Sequence, residues 1–160
     1  MSENEHATVV TAWFARLPPS LSSAEELALL ERAVAAVWGR ACQTLGETTI
    51  AAITDRVLSV TAARFPLLSG LAIDGCGIGW DSLSAHGSDL SRVEIRSAVE
   101  VVLVEFIQVV SNLTADILAP ALHAELAGIQ AEQGADAEPR SDTAPPSTRR
   151  RTQGGKGARS

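Results

Sequence analysis

The residues of this 160-residue chain whose types could do chemistry are three histidines, two cysteines and a scatter of carboxylates. His6, His86 and His123 lie far apart, in a predicted terminus, loop and helix. No H-x-x-x-H, H-E-x-x-H or C-x-x-C pair is present, so a zinc site has no support in spacing and no metal is expected. His123 follows Pro120 on a predicted helix. A helical bundle can hold a haem through one axial histidine, which makes Phe106 and His123 candidates for a cofactor pocket between helices. The plainer reading places His123 on a polar helix face, with no cofactor.

Gly75-Cys76-Gly77-Ile78-Gly79 spells G-x-G-x-G. A dinucleotide site also needs a preceding parallel strand, a third spaced glycine and a following helix, none of which is predicted. Gly154-Gly155-Lys156-Gly157 is followed by Ala158, so it is not a phosphate loop. Glu100, Glu105, Gln108, Asn112 and Asp116 form a polar arc that could line a cleft, but such arcs are ordinarily solvated. No serine sits in G-x-S-x-G. No catalytic residue can be named, and the expected function is non-enzymatic.

The elements that would position these groups are helical. Ser91 and Glu94 have capping-box spacing, and Leu90 with Ile95 has staple spacing. Ile95, Val99, Val102, Phe106, Val109 and Leu113 then recur at steps of four and three. That pattern keeps a seam apolar for about five turns of ~3.6 residues. The stretch Ser91–Leu126 reads as a central helix, kinked or broken at Pro120.

Ahead of it, residues 1–8 read as frayed, and Thr8–Leu17 as a short helix stopped by Pro18-Pro19. Ser22 and Ser23 with Glu25 and Glu26 offer two overlapping capping boxes. Leu27, Leu30, Val34, Val37 and Ala41 stripe the helix that follows. At Gly46 the apolar phase shifts to Ile50, Ile53, Val57 and Val60, which a turn explains better than one long bent helix. Leu71, Ile73, Ile78 and Trp80 alternate around Asp74-Gly75-Cys76-Gly77, the pattern of a small hairpin that must pack on the bundle or on another chain.

The expected fold is therefore mainly all-α. It is a four- to five-helix bundle over residues 9–131, with a β-hairpin near 70–80 and a disordered tail over 132–160. The tail lacks any apolar residue larger than Ala, so it cannot offset chain entropy by burial.

Charge separates body from tail. Residues 1–132 carry seven Arg against sixteen Asp and Glu, a net −9, while residues 133–160 carry six basic and three acidic residues, a net +3. An acidic body argues against a nucleic-acid-binding core. Any such contact is expected only weakly, through Arg149, Arg150 and Arg151, and no aromatic residue interleaves there for stacking.

Two cysteines without framework spacing, and an acidic MSENEHATVV start, point to a reducing cytoplasm. The apolar window 98–118 includes Glu100 and Asp116, and each such charge costs about 2.5–3.5 kcal/mol near a bilayer centre. No membrane association is expected. Val101, Val104 and Leu118 lie on the polar arc of the central helix, leaving it apolar nearly all round. With Trp80 they are candidates for an association surface. The leading expectation is a regulatory or scaffolding protein that associates with a protein partner or itself, as a homodimer, for example in bacterial signal transduction. The alternative is a ligand- or cofactor-binding helical sensor.

Overall fold

Five α-helices and one hairpin make up the described part of the chain. The computed structural model describes residues 3–74, 77–81 and 91–135, with side chains described for 4–73, 78–81 and 91–129. Helix α1 spans Glu3–Ala15, α2 Ser23–Leu45 and α3 Glu47–Ala62. A 3-10 turn at Pro66–Gly70 leads to β1 (Ala72–Asp74) and β2 (Gly77–Gly79). Helices α4 (Arg92–Leu113) and α5 (Ala119–Ala135) complete the order.

The α2 start chooses between the two overlapping caps. Ser22 accepts from the Glu25 N–H, and the Glu25 carboxylate accepts from the Ser22 N–H at 2.8 Å. Glu26 is thereby released from capping and turns inward. At the other end Gly46 has φ 85, donates to the Cys42 carbonyl and accepts from the Ile50 N–H. A left-handed φ is cheap only for glycine, so the chain turns here and α3 packs back on α2. Ile50, Ile53 and Val57 enter the core as expected, while Val60 stays exposed.

Strands β1 and β2 pair antiparallel, with Ala72 opposite Gly79 and Ile73 opposite Ile78. Ile78 and Trp80 are buried in the bundle core. The hairpin is thus anchored by its own chain, which satisfies the requirement that so small a sheet find a support.

Helix α4 is the hub. It packs on α1, α2, α3 and α5. No residue from Ile95 to Ser111 is exposed. At its centre the Phe106 ring stacks on Trp38 with centroids 3.5 Å apart and planes 14° from parallel. The Trp38 Nε1–H donates to Thr54 Oγ1 at 2.6 Å, and that hydroxyl donates to the Ile50 carbonyl at 2.7 Å. One indole therefore ties α2, α3 and α4 together with its only polar atom satisfied.

Several local expectations need correction. Ser91 is the N-cap of α4, yet its hydroxyl makes no cap hydrogen bond. The helix ends at Leu113, well before Pro120. Ala115 and Asp116 adopt left-handed φ values of 49° and 65°, and the Asp116 N–H returns to the Ser111 carbonyl at 2.8 Å. Pro120 instead lies in the first turn of α5, where a missing N–H has no consequence. Leu113, the last seam residue, is exposed in consequence.

At the N-terminus α1 begins at Glu3, not Thr8, because His6 and Val10 are both buried and hold the first turns down. Helix α5 runs to Ala135, past the expected boundary, through the good helix formers Glu132 and Gln133. The rest of the expected disordered tail, with Arg149, Arg150 and Arg151, lies outside the described residues, as does His86.

Candidate functional site

A cleft of about 460 Å³ opens between the N-terminal halves of α2 and α4. Its floor is Leu27, Leu30 and Ile95, and its charged walls are Glu26, Glu31, Arg92 and Arg96. The volume falls within the ~300–1,000 Å³ of small-ligand sites, and an apolar floor with few polar groups is their usual make-up.

Glu26 is the anchor. It is only 2% exposed, a burial rare for a carboxylate unless paired. Arg92 Nε donates to its Oε2. Arg96 Nε stands 3.0 Å from Oε1, an ion pair without hydrogen-bond alignment. Arg96 also donates from Nη2 to the Phe14 carbonyl at 3.0 Å and lies over the Phe14 ring, which ties α1 into the arrangement. Both arginine side chains remain part-exposed, at 39% and 38%.

Position explains why the pair needs an anion. Arg92 and Arg96 stand in the opening turns of α4, where the helix dipole disfavours positive charge. Glu26 offsets only part of that. At the other end of the cleft Glu31 has a pKa raised by burial and, second, by the negative charge of Asp81. The cleft therefore has a cationic end and an anionic end, separated along α2 by about 7.5 Å at ~1.5 Å per residue.

The histidines form a separate feature. His6 Nδ1 and His123 Nε2 are 3.1 Å apart, linking α1 to α5. His6 is fully buried and its Nε2 has no partner. The His123 pKa is lowered by burial first and by His6 second, with Glu5 pulling the other way. Among the described residues, no group of three or more His, Cys, Asp or Glu could hold a metal ion.

The expected site residues are only partly brought together. Phe106 is sealed against Trp38 and presents no free face to a cofactor, and neither it nor His123 lines the cleft. Leu118 and Trp80 are buried within their own chain, so they are corrected from association surface to core. Val101 and Val104 are half-buried, and Val104 packs against the core. Glu100 accepts from the Thr11 hydroxyl at 2.6 Å, which makes it a tie between α1 and α4.

Sequence reasoning missed Glu26, Arg92 and Arg96. The legible signal was the surplus glutamate in the doubled capping box, together with two arginines at the start of a helix that should carry acids there.

No family model matches the chain, and no curated protein or solved structure is found similar to it. No helix among the described residues is long and apolar enough to cross a membrane.

Proposed function

We propose that this chain is a non-enzymatic regulatory domain of the cytoplasm that works by binding a small ligand in the α2–α4 cleft. The observation that carries this reading is the buried Glu26 holding two part-exposed arginines against an apolar floor. A buried ion pair is weak as a stabilising device, since well-packed apolar residues often serve as well. Its presence at the wall of a cleft is better explained by recognition. Among the described residues no nucleophile with a base and an orienting group accompanies it, and binding rather than turnover is the reading.

The sensor reading is thus kept, with its pocket moved from Phe106 and His123 to the cleft. Self-association has one observation in its favour, the exposed Leu113 and Ile117 at 62% and 83%. A mass that rises with concentration in sedimentation would favour it.

The test of ligand binding is a thermal-shift panel of small acids, amines, alcohols and zwitterions at millimolar concentration. It is run on the native chain and on Ala28→Trp. Ala28 is exposed and lines the cleft, so the larger ring fills the space without disturbing the core. The expected result is stabilisation by at least one compound class that Ala28→Trp abolishes. A panel that leaves the melting temperature unmoved overturns the reading.

A further inference from the structure

We infer that the ligand of the α2–α4 cleft is a small zwitterion, with a carboxylate and an ammonium separated by a short apolar chain. The inference rests on the reading of the cleft as a binding site and names what that site would take.

The cationic end comes first. Arg92 spends its Nε on Glu26, and Arg96 spends Nε on Glu26 and Nη2 on the Phe14 carbonyl. The Arg92 terminal amino groups remain for another acceptor, in the fork geometry that suits a carboxylate. Two guanidinium groups face one carboxylate at a helix N-terminus whose N-cap hydroxyl makes no cap bond. Of the charged side chains lining that end of the cleft, two are arginines and one is a glutamate, and the helix dipole adds about 0.5 unit of positive charge.

The anionic end is the complement. Glu31 faces the cleft and is repelled by Asp81. Glu31 is the charged side chain lining that end of the cleft, where an ammonium would find a partner. Between the ends lie Leu27, Leu30 and Ile95, with nothing to hydrogen-bond a polar chain but much to cover methylenes.

A simple fatty anion would satisfy one end and leave Glu31 desolvated against methylenes. A simple amine would do the reverse and leave the arginines short of charge. Only a molecule carrying both groups answers both ends, and unpaired charge in a ligand site is penalised heavily.

Isothermal titration of the full chain with ε-aminocaproate, hexanoate and hexylamine tests this. ε-Aminocaproate is expected to bind about tenfold more tightly than either single-headed analogue, as one charge-assisted contact is lost in each. Arg92→Gln is expected to remove the advantage over hexylamine, and Glu31→Gln the advantage over hexanoate. Glu31 is part-exposed on the cleft wall, so circular dichroism of Glu31→Gln is expected to match the native chain, while Arg92→Gln takes a partner from the buried Glu26 and is titrated below its own, lower melting temperature.

Equal binding of all three probes, or an advantage unchanged in both variants, overturns the zwitterion while the cleft reading stands. No binding of these probes, with other panel compounds still stabilising the chain, also overturns the zwitterion alone. No binding of any compound overturns both.

Discussion

At the scale of residues, two of the buried polar sites answer to opposite rules. Glu26 is buried as a charge and kept so by two arginines, which is the condition under which a buried carboxylate persists. His6, fully buried, and His123, half-buried, instead share one ring-to-ring hydrogen bond.

A proton added to His123 is opposed by burial and by the neighbouring His6, which outweigh the pull of Glu5. The His123 pKa in the fold lies below its ordinary 6.5, so the unfolded chain binds that proton more readily. The contribution of His123 is therefore whole above pH 6.5 and is lost as pH falls below it toward the lowered value. Urea unfolding on either side of that pH is expected to show lower stability on the acid side. His123→Gln is expected to flatten the dependence. An unchanged slope in the variant would show that other groups set it.

At the scale of elements, the connection between α4 and α5 is under strain. Ala115 holds a left-handed φ of 49°, which costs a residue with a Cβ about 1–2 kcal/mol. Ala115→Gly is expected to stabilise the chain by about 1 kcal/mol, partly offset by the greater freedom glycine gives the unfolded state. Chemical denaturation reads this directly. A loss of stability would mean that the alanine methyl makes contacts worth more than the strain.

The helices themselves were legible from sequence because their apolar stripes repeat at helical spacing. The turn at Gly46 was legible because the stripe changes phase there. The end of α4 was not, because Pro120 offered a stronger local stop than Asn112-Leu113-Thr114, and a left-handed alanine has no sequence signature. The cleft was illegible for a related reason. Glu26 and Arg92 are 66 residues apart, and only the packing of α2 on α4 shows that the spare capping glutamate meets the misplaced arginines.

At the scale of the whole molecule, apolar character all round α4 has a simple outcome. The other four helices cover it, with α1, α2, α3 and α5 each in contact. The argument from surplus apolar surface to an obligatory partner therefore fails at Leu118 and Trp80, both interior. It had treated a buried hub as though it were a surface helix. What distinguishes the described residues is instead a charged cleft, built where the starts of two long helices come together.

The most direct measurement is nuclear magnetic resonance of the labelled protein, titrated with whichever compound most raises its melting temperature. The largest shift changes are expected at the amides of Ser23, Leu27 and Ile95 and at the side-chain Nε–H of Arg92 and Arg96. Changes confined to Leu113–Ile117, or gathered around His123, would place the ligand elsewhere and contradict the account.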